Sequence, residues 1–186
     1  MIPGIHFQIT WLQGISFVAG TLFIIWFSWW ASIKDGRYHG YYRFFSFESL
    51  LLLVLIQWHA WFAHPLAYYQ LLSWFFLTCS LVLAIYGFLW LIRAGKPNGK
   101  FENTSKVITS GAYRYIRHPL YASLLLAGFG AWLKNPFPPA PLMLMLANTL
   151  ALFFTARADE NEMKGRFGEE YIGYMKRTKM FIPFIF

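Results

Sequence analysis

Between Gly111 and Leu125 the chain reads GAYRYIRHPLYASLL. Arg114, Arg117 and His118 stand beside Pro119 and three tyrosines (Tyr113, Tyr115, Tyr121), after which the residues turn apolar. A second polar cluster follows at Arg157, Asp159, Glu160 and Glu162. These residue types suit a zwitterionic ligand with a cationic centre. Carboxylates match an ammonium, Arg or His matches a carboxylate, and aromatic faces match a sulfonium.

The elements that must position these groups are apolar. Of 186 residues, 58% are hydrophobic and 22% aromatic, and only 13% are charged, against about 25% in a soluble domain. The mean hydropathy is +0.43. Five apolar segments stand out, at 11–33, 44–62, 71–92, 119–133 and 141–156, to be compared with the roughly 20 residues a span needs. The second must keep Glu48, Gln57 and His59 against protein or an interface. The fourth and fifth are short and joined by NPFPPAP, which makes them a helical hairpin. The first apolar run has no basic stretch before it, so it reads as a retained helix rather than a cleaved signal. Cys79 is the single cysteine and lies in an apolar run, which excludes a disulfide framework.

The net charge of +8 does not mark a nucleic-acid binder, because the basic residues lie between apolar segments instead of on one soluble face. With five spans, all Lys and Arg except Lys134 fall on one side of the membrane. The expected topology is therefore N-terminus out and C-terminus cytosolic. This is an all-α, polytopic fold with about five transmembrane helices, in a bacterial-type inner membrane, with its polar junction facing the cytosol. Residues 1–186 form one integral membrane domain: three spans in 1–95, then a Gly/Pro/Asn-rich loop, the hairpin and a cytosolic amphipathic helix in 96–186. That helix runs through ARADENEMKGRFGEEYIGYMKR, with Glu160–Lys164 and Glu162–Arg166 as supporting i,i+4 pairs. The hairpin makes the outer ends of its two helices neighbours, and so brings the basic, aromatic cluster against the acidic one.

The two clusters form a pattern that resembles the isoprenylcysteine carboxyl methyltransferase and phospholipid methyltransferase superfamily. The first motif of that superfamily, G-x-Y-x-x-x-R-H-P-x-Y, is matched by Gly111, Tyr113, Arg117, His118, Pro119 and Tyr121. Its second, E-E-x-x-L-x-x-x-F-G-x-x-Y-x-x-Y, is matched by Asp159, Glu160, Met163, Phe167, Gly168, Tyr171 and Tyr174, with KMFIPFIF closing the chain. The likeness runs from about Ser105 onward, and the first three spans add only hydrophobicity. It implies an S-adenosylmethionine site within a membrane fold and a lipophilic small-molecule or lipid acceptor among the surrounding membrane lipids. By that likeness the cofactor would touch Ser105, Lys106, Val107, Ile108, Tyr113, His118, Pro119, Leu120, Tyr121 and Asp159 or Glu160. Arg157 or Arg117 would position or polarise the acceptor, and no metal is implied. Two positions depart from the pattern. Asp159 replaces the first glutamate, and Thr155 stands where carboxyl-methylating members carry arginine. Arg157 lies about 200° around the helix from that position.

Simpler readings exist for several of these groups. Arg117 and His118 could anchor the protein at lipid headgroups, and Tyr171 and Tyr174 could pack the cytosolic helix against the membrane face. His59 and His64 raise a haem- or quinone-binding alternative. A non-catalytic membrane protein and an NADPH-dependent sterol-reductase-like enzyme, which would share the Arg-His-Pro run, complete the alternatives.

Overall fold

The computed structural model describes residues 10–185 and contains six α-helices. The residues before Thr10, which carry the expectation of an outer N-terminus, and Phe186 of the closing KMFIPFIF run lie outside the described residues. Helix α1 spans Trp11–Ala31, opened by a capping box in which Thr10 and Gln13 satisfy each other's backbone N–H. Gly36, at φ 73°, reverses the chain into α2, His39–Ile56. Helix α3 covers Tyr68–Gly95, α4 Pro119–Trp132, α5 Pro139–Phe167 and α6 Glu169–Arg177. Prolines at the first turns of α4 and α5 supply a preset φ where no intrahelical N–H bond is needed.

Helices α1, α3 and α5 are long and apolar enough to cross a membrane, and α4 is a shorter apolar helix. Helix α2 begins five residues before the apolar segment read from the sequence, and it ends at Ile56 rather than continuing to Phe62. Gln57 is the reason for the early stop. Its side-chain amide turns away to donate to the carbonyls of Ala131 and Trp132, capping the end of α4, and a short 3₁₀ turn at Trp58–Ala60 follows.

Helix α2 packs chiefly on α5 and α3 on α4, the hairpin joins the two pairs, and α1 lies outermost against α2. Small and polar residues mediate these contacts. Ser46 donates to Asn148 at 2.7 Å, Ser73 to Gly130 O at 2.6 Å and Ser80 to Ser123 O at 2.7 Å. Gly128 leaves room for the Asn148 amide, which a Cβ would meet at 2.5 Å. In a bilayer, where hydrophobicity does not separate protein from lipid, such close approach and interhelical hydrogen bonding are what hold helices together. Large apolar side chains on α1 and α3, such as Val18, Leu22, Leu81 and Val82, point outward.

At a rise of about 1.5 Å per residue, α5 is about 44 Å long and outruns a hydrocarbon core of about 30 Å. Its acidic end, Asp159 to Glu162, thus stands past the apolar part on the same rigid helix. The amphipathic run expected as one helix is divided. Gly168, at φ 54° and ψ −130°, breaks it and swings α6 back across the hairpin's open end. The expected i,i+4 pairs are also replaced, because tertiary partners compete for the same charges. Glu160 is taken by Arg117, Glu162 by Arg37 and His39, Lys164 donates to Asn161, and Arg166 reaches the loop at Asn103 and Thr104.

Candidate functional site

A cavity opens where the N-terminal end of α4, the acidic end of α5, α6 and the loop after α3 meet. Tyr113, Arg117, His118, Leu120 and Tyr121 line it from one side, Asp159, Met163 and Phe167 from α5, and Tyr171 and Tyr174 from α6. Thr104, Lys106, Val107 and Ile108 of the loop form another wall.

The threshold of α4 is held by backbone as well as side chains. Gly111, at φ 61°, sits against the Trp90 indole, where an added Cβ would collide with Nε1. The tail beyond α6 then runs parallel to residues 115–118. Arg117 N–H donates to Lys179 O at 2.8 Å and His118 N–H to Met180 O at 3.2 Å. Arg117 Nε donates to Glu160 Oε1 at 2.7 Å, and its Nη1 donates to Thr178 O. The His118 ring stacks on Tyr121, with centroids 5.3 Å apart, and its two nitrogens lie 3.6 Å from Asp159 and 3.4 Å from Glu160. Tyr174 donates its hydroxyl to Tyr113 O at 2.6 Å. Burial pushes the phenols of Tyr113, Tyr171 and Tyr174 upward, which keeps them neutral donors.

Among the described residues around the cavity, Arg43 Nε, His118 Nε2 and Glu160 Oε2 are buried polar atoms that make no hydrogen bond within the protein. Of these residues Arg43 and His118 line the cavity, where a polar ligand could be received.

Not every residue expected from the sequence faces the cavity. Ser105 turns both its N–H and its hydroxyl to Gly95 O, and Pro119 packs on Gly87, so neither lines it. Glu160 lies behind the wall, 1% exposed, holding Arg117. Arg157 projects outward, with its side chain 58% exposed and its Nη1 3.9 Å from Glu160 Oε2. Thr155 is fully buried and donates to Ala151 O. Tyr171 and Tyr174 are buried against Met163 and Val107 and line the cavity. His59 and His64 are exposed on the connection at the other end of α2.

The far wall of the cavity comes from residues that the sequence reading left as loop charge: Arg37, His39, Arg43 and Glu102. His39 is 1% exposed. Its Nδ1 lies 2.9 Å from Glu162 and its Nε2 3.2 Å from Glu102, while its backbone N–H donates to Glu162. Arg37 donates to Glu162 and to Glu102 O and approaches Asp159 at 3.6 Å. Arg43 pairs with Glu102 and donates to Ser32 at 2.8 Å. Burial alone would lower the His39 imidazole, but the hydrogen bonds it donates to Glu102 and Glu162 outweigh burial and push it up to about 9. Burial likewise opposes ionisation of Glu102, yet His39 and Arg43 hold it down at about 2. His39, Asp159 and Glu162 offer ligand-type atoms within 4.8 Å of one another. Arg37 already neutralises those carboxylates, and both His39 nitrogens face carboxylates, so a cation of the protein's own fills the position a metal would take. The sequence signal for this wall is slight: Arg37, His39 and Arg43 around one helix start, and Glu102 as the loop's one acid.

The fold and site together describe an all-helical membrane protein whose polar cavity opens where its helices end. The phospholipid methyltransferase family model matches residues 68–170, and the chain belongs to that family. The chain is similar to the protein-S-isoprenylcysteine O-methyltransferase of Mus musculus, with 36% identity over 88 residues, 45% of this chain and 30% of the mouse protein. The probable protein-S-isoprenylcysteine O-methyltransferase of Oryza sativa subsp. indica is 31% identical over 125 residues, 60% of this chain and 63% of the rice one. A methanethiol S-methyltransferase of Crocosphaera subtropica is 30% identical over 80 residues, 43% of this chain and 30% of that protein. The chain thus matches less than a third of the mouse relative's length.

Proposed function

We propose that this chain is a multi-pass membrane enzyme that transfers a methyl group from S-adenosylmethionine to a lipophilic acceptor at the cytosolic face. In this reading residues 1–186 form one domain with five crossings, N-terminus out. Helices α2 and α4 complete the set despite their shortness, and the Lys and Arg residues other than Lys134 lie on the cavity's side. The observation that carries the reading is the cavity itself, where Asp159, His118, Arg117 and a set of tyrosines converge at the hairpin's open end.

The residues present fit the cofactor. Asp159 faces the cavity and would take the α-ammonium group. Glu160, behind the wall, would act indirectly by keeping Arg117 and His118 in place. Arg117 and His118 would receive the carboxylate, and Tyr113, Tyr121, Tyr171 and Tyr174 would supply aromatic faces for the sulfonium. Lys106, Val107, Ile108 and Leu120 would enclose the rest, while Ser105 and Pro119 would act by shaping the loop and the helix start. The cofactor supplies a methyl group bonded to a positively charged sulfur, which an acceptor displaces in line. The work left to the protein is orientation and exclusion of water, since no covalent enzyme intermediate is needed. Arg117 is better placed than Arg157 to polarise an acceptor, because Arg157 points outward.

The relatives are named for methylating an oxygen of isoprenylcysteine and the sulfur of methanethiol. Here the Thr155 hydroxyl is satisfied by Ala151 O, so this face of α5 offers no cation to an acceptor carboxylate. A lipophilic acceptor without that requirement fits better. Calorimetry with S-adenosylhomocysteine on protein in nanodiscs tests the cofactor assignment. Saturable binding at one site is expected, and no heat of binding from folded protein would overturn it.

A further inference from the structure

The loop after α3 bears one wall of the cavity yet has no regular structure beyond short turns, so something else must hold it in place. Three fastenings do so. Arg166 donates to Asn103 Oδ1 and Thr104 O at 2.9 and 2.8 Å, and Lys100 pairs with Asp35 at 2.8 Å on the surface. The third is buried. Glu102 accepts from Ser32 at 2.7 Å, pairs with Arg43 and contacts His39, which in turn grips Glu162 on α5. Phe101 beside it stacks on Phe27 and meets Phe88 at a tilt, with centroids 6.4 and 6.1 Å away. Besides Arg166, which reaches the loop edge directly from α5, the buried tie between loop and α5 runs through this ring, whose two nitrogens both face carboxylates. Only the doubly protonated ring can donate to both.

We infer that His39, as an imidazolium bridging Glu102 and Glu162, is a positioning residue that latches the loop wall (residues 96–110) against α5 and so holds the cofactor cavity closed. The charges around it are balanced: Arg37, Arg43 and His39 against Glu102, Asp159 and Glu162. His39→Gln leaves an excess negative charge between loop and helix, where repulsion favours separation. Arg37 reinforces the latch, since it donates to Glu102 O on the loop and Glu162 on α5 at once. His39 acts through the wall and would not itself touch the reacting atoms. The loop contributes Thr104, Lys106, Val107 and Ile108 to the cavity, and its release would expose one whole side of a bound cofactor.

This inference rests on the cavity being the cofactor site, and the test separates the two. Hydrogen exchange is followed in ligand-free protein in nanodiscs, and S-adenosylhomocysteine binding is measured by calorimetry and by its dissociation rate. In His39→Gln, exchange should quicken across 96–110 while α4 and α6 stay protected. Affinity should fall about tenfold, mainly through faster dissociation. Glu102→Gln breaks the same latch from the loop side and should give the same pattern, and it serves in place of His39→Gln if that variant does not fold. Unchanged loop exchange, or exchange raised equally in every helix, would overturn the latch even where wild-type protein binds S-adenosylhomocysteine. Absence of wild-type binding would instead remove the cofactor reading on which the latch depends.

Discussion

Arg117 Nε meets Glu160 Oε1 at 2.7 Å, which joins the threshold of α4 to the far end of α5 across 43 residues of sequence. The pair sits where the α4–α5 hairpin opens, and Glu160 is only 1% exposed. Arg117 also donates to the Thr178 carbonyl, so one guanidinium fixes three segments at once.

Removing the charge of Glu160 leaves that guanidinium with backbone carbonyls but no balancing carboxylate. Breaking one side of a buried ion pair costs about 3–5 kcal/mol, because the remaining charge is left desolvated without a partner. Glu160→Gln is therefore expected to lower the unfolding temperature in detergent clearly and to weaken S-adenosylhomocysteine binding. A variant as stable as wild type would show that the pair contributes nothing net.

The His39 cluster predicts a stability optimum in pH. The imidazole gains partners on folding, so its contribution is fully present below its ordinary value of 6.5 and is lost as pH rises through about 9. Glu102 behaves oppositely. Its contribution is present above 4.5 and disappears as pH falls toward about 2. Thermal unfolding against pH should be highest between these limits, with Arg37, Arg43, Asp159 and Glu162 as the charges facing the pair. His39→Gln should flatten the alkaline limb, and an unaltered limb would assign it to other groups.

Tyr174→Phe deletes one hydroxyl and leaves the Tyr113 carbonyl without its donor at 2.6 Å. A loss of about 1 kcal/mol in stability is expected, the usual net worth of such a bond. Because Tyr113 lines the cavity, S-adenosylhomocysteine affinity should drop with it. Calorimetry and unfolding on the same preparation test the link, and a loss of stability with full affinity would break it.

Gly111→Ala faces two obstacles. The backbone there is left-handed, at φ 61°, which costs about 1–2 kcal/mol with a side chain, and the new Cβ would press on Trp90. Lower stability is expected by thermal unfolding. Pairing the change with Trp90→Ala should recover only the steric part.

Arg157→Ala should change little. Its guanidinium is mostly in solvent and 3.9 Å from Glu160, and exposed pairs are worth about 0–1 kcal/mol. S-adenosylhomocysteine affinity equal to wild type is the expected calorimetric result. A large loss would return Arg157 to the site.

Tyr113, His118 and Asp159 could be found by reading alone because their logic is local. A proline-started helix, a proline-rich turn and a second helix must bring their outer ends together. Arg37, His39 and Glu102 escaped for the opposite reason. Their partners lie 59 to 125 residues away, and basic residues after a span satisfy the positive-inside pattern without any further role. The division at Gly168 was hidden too, since the charge pattern on either side continues a helical period. Only the backbone angle there reveals the turn.

The short parallel pairing of Ile116 with Lys179 has a consequence for how this protein is made. Synthesis from the N-terminus delivers the α4 threshold before residues 179 and 180, so the doorway is made before its backbone partners. The last hydrogen bonds to Arg117 and His118 arrive only when the tail folds back. The pocket is thereby complete only once the C-terminal tail has been made and has paired with the start of α4.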